Sequence, residues 1–341
     1  MTGWVADVLP GYWQRTLPLG RDPAGEGDIV ATLIRRGPEA EARRADHAVL
    51  AVHGYTDYFF QTALADHFAE RGFAFYALDL QKCGRSRRDG QTPHFITDLA
   101  DYDTELEQAL ALISERHRRV LVYGHSSGGL VAALWLDRMR RRGAPAHAGI
   151  GGLVHGLVLN SPFLDLHGPA VLRLFATTAL IAGLSKVRSK GVVRAPTEGG
   201  YGTTLHRDYS GEFDYNLQWK PLGGFPITLG WLHAIRRGQA RLHRGLDVGV
   251  PNLILRSDHS VRESDDPESM QRGDAVLDVN QIARWAGCIG NRSTIVPVPD
   301  AKHDVFLSLP EPRRFAYRQL DLWLDRYLDI NTDAPTPTGK G

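Results

Sequence analysis

The chain contains 341 residues, of which 43% are hydrophobic, a composition typical of a soluble globular protein with one large domain or two smaller ones. Its 40 basic and 39 acidic residues leave a net charge of +1, which gives no reason to expect a nucleic-acid partner. The two cysteines, Cys83 and Cys288, are far apart, so they indicate no disulfide framework and favour a reducing compartment.

Neither a signal peptide nor a membrane span is predicted from the pattern of apolar residues. Residues 1–20 lack a basic segment followed by a continuous apolar core. The nearest approach to a membrane span, residues 170–184, is too short and is interrupted by Arg173. We therefore expect a cytoplasmic protein.

Strand and helix patterns alternate along the first half of the chain. Short apolar runs predict strands, and apolar residues three or four positions apart predict helices. The predicted strands are residues 28–35, 48–53, 73–80, 120–123 and 157–160, and the predicted helices are 61–71, 97–116 and 130–140. This alternation predicts an α/β fold, a mostly parallel sheet with helices on both faces. Ligands bind beyond the carboxyl ends of such strands, where Gly54, Asp79, Ser126 and Ser161 lie.

The alternation stops between residues 163 and 249, a stretch rich in Gly, Arg and His, and we predict an insertion there. Its helical patterns cover residues 171–184 and 228–241. Strands at 251–255 and 293–298 and helices at 276–286 and 312–327 then complete a core formed by residues 1–162 and 250–330. Thr-Pro steps and glycines predict a disordered tail at residues 331–341.

The segment Gly124-His125-Ser126-Ser127-Gly128 reads Gly-x-Ser-x-Gly between a predicted strand and a predicted helix. This context is typical of a nucleophile elbow, a strained turn that exposes a serine and leaves no room for a β-carbon on either side. Ser126 is therefore the predicted nucleophile. The alternative is a Gly-Ser loop that merely ends a buried strand.

A serine hydroxyl needs an adjacent base, and the base needs a carboxylate to orient it. After such an elbow the partners follow in the order Asp or Glu, then His. His303 lies between the last predicted strand and the last helix, and is the predicted base. The acid is expected in the loop after strand 251–255, where position alone leaves Asp258, Asp274 and Asp278 open.

Two backbone N–H groups are expected to stabilise the oxyanion that develops on the substrate carbonyl. One belongs to Ser127, directly after the nucleophile, and the other to Tyr55 in the loop after strand 48–53. We place His53, Gly54 and His125 around the bound substrate, with His53 packed under the loop rather than taking part in the chemistry.

No metal or cofactor is predicted. The 14 histidines are scattered without a His-x-x-x-His helix. His243, His259 and His303 could come together in the fold, but we do not predict a metal site there. No Gly-rich phosphate or dinucleotide loop follows the first strand.

These motifs resemble those of the serine hydrolases with the α/β-hydrolase fold, and in particular the monoacylglycerol lipase and lysophospholipase branch. The resemblance runs from about residue 48 to 328. It rests on the His53-Gly54 loop, the turn at residues 78–86, the Gly-His-Ser-x-Gly elbow and the histidine loop at 301–303. Ser127 stands where Met is more usual in that branch.

The acid region departs from the pattern of this branch. The acid normally follows the strand by about three residues, but here the count reaches Ser260, which has no carboxylate. Residues 274–278 look like the acid and the start of the next helix, after an insertion of roughly fifteen residues. The resemblance therefore favours Asp274.

The resemblance also implies that residues 163–249 form a helical cap over the active site. An acyl chain needs an apolar tunnel and a route from a lipid surface. Six apolar residues of the cap could line that tunnel or touch a membrane: Leu172, Leu174, Phe175, Leu180, Ile181 and Leu184. The alternative is that this stripe packs the cap onto the core.

The expected function is hydrolysis of carboxylic esters, with monoacylglycerols or lysophospholipids as substrates and an acyl-enzyme on Ser126. A small-molecule ester or lipid and transient contact with a membrane surface are the expected partners. The same triad could support acyl transfer, peptidase action or cofactor-free peroxidation. A non-catalytic binding protein on this scaffold is a further alternative, favoured only by the displaced acid.

Overall fold

A computed structural model describes residues 3–38, 45–143, 150–167, 175–262 and 266–327. The predicted tail at residues 331–341 lies outside these ranges, as do Leu172 and Leu174 of the predicted cap stripe. Within the described ranges, no helix is both long enough and apolar enough to cross a membrane.

A nine-stranded sheet forms the centre of the described structure. Its strands are β1 (Val5–Ala6), β2 (Tyr12–Arg21), β3 (Asp28–Arg36), β4 (His47–Val52), β5 (Phe73–Asp79), β6 (Arg119–His125), β7 (Val154–Asn160), β10 (Asn252–Ser257) and β11 (Ser293–Val298). Their order across the sheet is β1-β2-β3-β5-β4-β6-β7-β10-β11. The first three strands pair antiparallel, and β3 also meets β5 antiparallel. All pairs from β5 to β11 are parallel, which confirms the predicted parallel sheet.

Helices cover both faces of this sheet. The helices of the described ranges are α1 (Thr62–Glu70), α2 (Asp103–Ser114), α3 (Ser127–Arg141), α4 (Ile150–Leu153), α5 (Phe175–Val187), α6 (Leu229–Leu242), α7 (Pro267–Met270), α8 (Val279–Trp285) and α9 (Pro310–Tyr327). Two short strands, β8 (Val192–Arg194) and β9 (Ile227–Thr228), pair antiparallel apart from the main sheet. The single helix predicted at 97–116 is divided, because Asp98 caps a separate 3₁₀ turn, Leu99–Tyr102, before α2 begins.

The core consists of two buried layers, one on each face of the sheet. Alternate residues of a strand enter opposite layers, so Leu50 packs with Leu106 and Trp135 while Val49 packs with Phe68 and Leu320. These strands are buried on both faces, which explains why they read as continuous apolar runs rather than alternating patterns.

Helix α6 lies within the predicted cap range but packs directly against the core. Its residues Trp231, Ile235 and Leu242 belong to the same buried layer as α3. Gly238 permits this approach, since a β-carbon there would lie 2.8 Å from Leu99 and 2.9 Å from Leu134. Helix α6 is therefore part of the packed core layer, although its residues fall within the range predicted as the cap.

The registers of the parallel strands align their carboxyl ends at one edge of the sheet. Val52 of β4 pairs with Gly124 of β6, and His125 pairs with Asn160 of β7. Leu255 of β10 also pairs with Asn160. The loops after β4, β6, β7, β10 and β11 therefore meet at this edge.

Candidate active site

Ser126 occupies a strained turn between β6 and α3. Its φ of 53° and ψ of −121° lie outside the usual regions for a residue with a side chain, as a nucleophile elbow requires. The Ser126 N–H donates to the carbonyl of Asn160 at 3.0 Å, which holds the turn against β7. A β-carbon at Gly124 would lie 2.7 Å from Gly129 Cα, and one at Gly128 would lie 2.2 Å from the carbonyl oxygen of His53. Both glycines of the motif are therefore steric requirements of the fold.

Gly128→Ala is expected to lower the free energy of unfolding by about 3 kcal/mol, because the new methyl group meets backbone atoms of β4 and its loop that have no room to shift. Thermal denaturation followed by circular dichroism measures the change. Gly287→Ala is the matched control, since a β-carbon there meets nothing within 4 Å. Equal stability of the two variants would contradict this account of the turn.

His303 lies on the loop after β11 and is hydrogen-bonded to Asp274. The His303 Nδ1–H donates to Asp274 Oδ2 at 2.9 Å, and the two side chains are 3% and 0% exposed. The other carboxylate oxygen, Oδ1, accepts the N–H groups of Val276 and Leu277, each at 2.8 Å. Within the described ranges His303 Nε2 has no hydrogen-bond partner. In a neutral ring that carries its proton on Nδ1, Nε2 is the atom that can accept a proton.

A local strand pairing explains how Asp274 reaches His303 despite its distance in sequence from β10. Ser260, at the position expected for the acid, forms an isolated parallel bridge with Asp274. The Asp274 N–H donates to the His259 carbonyl at 3.1 Å, and the Val261 N–H donates back to Asp274 at 3.0 Å. The chain returns at Asp274 to a position beside Ser260. The Asp274 carboxylate therefore lies where the acid that follows this strand is expected.

The other two candidate acids have different surroundings. Asp258 bonds the ring of His259 at 2.7 Å and the N–H of Asp300 at 3.1 Å. Asp278 caps α8 by accepting the N–H of Asn280 at 3.0 Å. Of the three acids left open by position, Asp274 is the one that the structure pairs with His303.

The loop after β4 packs tightly against the elbow. A β-carbon at Gly54 would lie 2.9 Å from Ser126 Cβ, so only glycine permits this approach. His53 braces the loop from below, since its Nε2 accepts the Leu80 N–H at 3.1 Å and its Nδ1–H donates to the Gly54 carbonyl at 2.8 Å. Tyr55 and Ser127 line one cavity together with Ser126 and His303. The role of their backbone N–H groups as oxyanion donors stays a prediction.

One buried residue that sequence reasoning did not select, Asn160, holds the histidine loop in place. Asn160, at the end of β7, donates through Nδ2 to Asp304 Oδ1 at 2.7 Å and to the Tyr123 hydroxyl at 2.8 Å. Its Oδ1 accepts the Val305 N–H at 3.2 Å. The available signal was a buried polar residue at the carboxyl end of a parallel strand, followed by Ser-Pro.

The cavity beside Ser126 has a volume of about 600 Å³, within the range of sites that hold small organic ligands. Much of its lining is apolar and comes from the predicted cap, α6 and the loop after Asp274: Phe163, Leu166, Ile181, Val193, Leu222, Phe225, Ile227, Trp231, Leu232, Val276 and Leu277. His125 and Ile181, two of the predicted substrate-binding residues, are part of the lining. His53 and Gly54 are not among its lining residues, and Leu180 is 62% exposed on the outer side of α5.

His125 contributes a neutral ring to this cavity. Burial lowers the pKa of His125, and its Nδ1–H donates to the Asn160 carbonyl at 3.1 Å. The ring centres of His125 and His303 are 4.9 Å apart. A neutral neighbour does not repel the imidazolium that a base forms when it accepts a proton.

The three histidines considered for a metal have separate surroundings. His243 stacks on Trp285, His259 bonds Asp258, and His303 bonds Asp274. Over the described residues no group of three or more His, Cys, Asp or Glu side chains is placed to hold a metal ion.

The parallel sheet, the serine elbow and the histidine-carboxylate pair together define an α/β-hydrolase. The chain belongs to the Hydrolase_4 family, described as serine aminopeptidase S33, whose model matches residues 43–265. The matched segment includes the elbow but ends before Asp274 and His303. A comparison with curated proteins finds no match.

Several solved structures share this fold at low sequence identity. A soluble variant of monoglyceride lipase from Saccharomyces cerevisiae has a TM-score of 0.63 and 16% identity, covering 91% of this chain and 94% of its own. Monoacylglycerol lipase from Paleococcus ferrophilus has a TM-score of 0.59 and 16% identity, covering 92% and 98%. A thermostable carboxyl esterase from Bacillus coagulans has a TM-score of 0.60 and 13% identity, covering 92% and 99%.

Proposed function

We propose that the protein hydrolyses carboxylic esters through an acyl-enzyme on Ser126. The observation that carries this proposal is the His303–Asp274 pair, which leaves His303 Nε2 without another partner among the described residues, in the cavity that Ser126 lines. Nε2 removes the proton from the Ser126 hydroxyl as its oxygen attacks the ester carbonyl. It then gives that proton to the leaving alcohol, and the same base activates the water that releases the acid.

In this mechanism Asp274 holds the ring of His303 and stabilises the imidazolium that forms. The two bonds to Asp274 Oδ1 leave Oδ2 directed at the ring, so the carboxylate does not have to reorient during the reaction. The N–H groups of Tyr55 and Ser127 stabilise the oxyanion. Neither of these N–H groups needs a cofactor to act.

Monoacylglycerols or lysophospholipids are the proposed substrates. The support is the apolar lining of a cavity of about 600 Å³, which suits an acyl chain. The names of the lipases from Saccharomyces cerevisiae and Paleococcus ferrophilus, which share this fold, agree with that assignment. A cytoplasmic location is proposed with it, because Cys83 and Cys288 are both free thiols.

The family description raises aminopeptidase activity as a second candidate. An aminopeptidase has to bind a cationic α-amino group, which calls for an unpaired carboxylate near the nucleophile. Among the described residues that line the cavity, Asp57 is the one acid, and its Oδ1 lies 2.8 Å from the Lys220 ammonium. Arg194 adds a further positive charge to the lining. These charges favour a neutral ester over a peptide with a free amino terminus.

The assay that separates the two activities compares kcat/KM for monooleoylglycerol, lysophosphatidylcholine, p-nitrophenyl butyrate and leucine p-nitroanilide. We expect turnover of the esters and little or none of the anilide. Preferential cleavage of the anilide would establish the peptidase instead. Inactivity on every ester would remove the proposed function.

Contact with a lipid surface is proposed for the outer side of α5. Leu180, Leu184 and Val187 follow each other at helical spacing and are 62%, 47% and 83% exposed. Lys186 and Arg188 are exposed beside them, and basic residues favour anionic lipid surfaces. Ile181 faces the other way and lines the cavity.

Leu180→Asp is therefore expected to lower activity on emulsified monooleoylglycerol about tenfold while changing p-nitrophenyl butyrate hydrolysis less than about twofold, because the charge opposes lipid contact only. Ile181→Asp is expected to impair both reactions, since it places the charge in the cavity. Leu322→Asp on α9 is the matched control, with its original side chain 63% exposed. Equal losses on both substrates for Leu180→Asp would refute lipid contact.

A further inference from the structure

A segment of the predicted cap, residues 216–226, is bonded to the loop that carries the proposed oxyanion donor Tyr55. We call these residues the latch segment. The Lys220 ammonium lies 2.8 Å from Asp57 Oδ1, and the Phe225 N–H donates to Thr56 Oγ1 at 2.9 Å. The Tyr55 hydroxyl donates to the Pro226 carbonyl at 2.6 Å. Each of three consecutive loop residues is therefore tied to the latch segment.

The Asp57–Lys220 ion pair is buried at the wall of the cavity. The two side chains are 2% and 11% exposed. Burial alone raises the pKa of Asp57, but the Lys220 ammonium outweighs it and leaves that pKa below its usual value. A buried pair of this kind requires accurate geometry, and removal of one partner leaves the other charge uncompensated.

The loop needs such external support because its backbone is strained. Thr56 has a φ of 52°, in the left-handed region that β-branched residues rarely adopt. Strain of this kind persists only where surrounding contacts over-determine the conformation. The Phe225 N–H holds the side chain of Thr56 itself. The bond to Asp57 fixes the residue that follows Thr56, and the bond from the Tyr55 hydroxyl fixes the residue that precedes it.

The attachment of the cap does not depend on the latch segment alone. Lys190, just after α5, lies 2.7 Å from Glu26 of the N-terminal hairpin region. The Lys302 ammonium donates to the Thr204 carbonyl at 2.7 Å. These contacts fix other parts of the same region and do not touch the loop at residues 54–57. The latch segment is thus a separate connection between cap and oxyanion loop.

We propose that the latch segment completes the oxyanion hole, with Lys220 as a positioning residue that acts through Asp57 and Thr56 on the Tyr55 N–H. The inference rests on the proposed esterase function. Displacement of the cap would leave the His303–Asp274 pair intact while it weakens stabilisation of the oxyanion. The esterase would then be fully active only with its cap docked.

The first test is steady-state hydrolysis of p-nitrophenyl butyrate by Lys220→Met, Lys220→Arg and Lys190→Met. Lys220→Met is expected to lower kcat by about 30-fold with KM changed less than about threefold, because misplacement of a donor affects the transition state more than the bound substrate. Lys220→Arg keeps the charge and is expected to recover most of kcat. Lys190→Met removes a cap contact remote from the loop and is expected to keep the wild-type rate.

A transition-state analogue supplies a readout that a merely structural role would not change. An alkyl boronic acid forms a bond from Ser126 Oγ to boron, and an oxygen of the resulting tetrahedral anion occupies the oxyanion hole. Its inhibition constant is expected to rise in Lys220→Met by the same factor as kcat falls. Thr56→Val removes only the hydrogen-bond acceptor of the Phe225 N–H and is the second variant, to be used if Lys220→Met does not fold. It is expected to lower kcat and to raise the inhibition constant of the boronic acid.

Unchanged kcat and unchanged boronic acid inhibition in Lys220→Met and Thr56→Val would overturn the latch proposal. Equal losses in Lys220→Met and Lys190→Met would also overturn it, because they would point to general loosening of the cap. Failure of the proposed function is a different outcome, in which the wild-type protein itself hydrolyses no ester.

Discussion

Ser126→Ala is expected to lower kcat for p-nitrophenyl butyrate by about 10⁴-fold or more, since it removes the oxygen atom that forms the acyl-enzyme. The variant loses only one oxygen atom in a turn whose geometry is set by Gly54, Gly124 and Gly128. We expect it to fold normally. The measurement is steady-state hydrolysis together with labelling by a fluorescent fluorophosphonate.

Ser127→Ala is the matched control for this prediction. It also removes one hydroxyl at the elbow, but it keeps the backbone N–H assigned to the oxyanion hole. Its kcat is expected to lie within about threefold of the wild type. A large loss in Ser127→Ala with full activity in Ser126→Ala would show that the nucleophile is Ser127 and not Ser126.

Asp274→Asn is expected to lower kcat by about 10³- to 10⁴-fold, the second largest effect. An amide in place of the carboxylate no longer stabilises the imidazolium and can present an N–H to His303 Nδ1, which favours the wrong tautomer of the ring. The N–H groups of Val276 and Leu277 still find an oxygen acceptor in the amide, so we expect the loop to keep its shape.

Asp258→Asn and Asp278→Asn serve as controls at the two other acids. Asn caps a helix about as well as Asp, so Asp278→Asn should preserve the start of α8 and the rate. Asp258→Asn changes an exposed pair with His259 and should also leave kcat within about twofold. A loss of activity in either control, with Asp274→Asn fully active, would transfer the role of the acid to that residue.

The strands of the central sheet were predictable because burial on both faces makes them continuous apolar runs. The strands β1 and β2 were missed because β1 is a two-residue edge strand with both residues exposed, and β2 beside it has few fully buried residues, so the apolar pattern is weak. The position of His303 followed from chain order alone. The choice of Asp274 needed the family resemblance, since its pairing with Ser260 depends on how the inserted loop returns.

Other parts of the site could not be found from sequence because they depend on contacts between distant segments. Asn160 meets Asp304 across 144 residues, and Lys220 meets Asp57 across 163. Neither pair follows a spacing rule, because loops of the insertion and of the core meet only after the sheet has formed. The outward direction of Leu180 and the inward direction of Ile181 likewise required the orientation of α5.

We infer that Ser126 is an activated nucleophile paired with His303 and Asp274. Treatment of the wild-type protein with a fluorophosphonate, followed by identification of the modified residue by peptide mass spectrometry, tests this inference. We predict one phosphonyl group per chain, on Ser126, with labelling slowed strongly in Asp274→Asn. An unmodified wild-type protein, or modification at another residue, would contradict the claim.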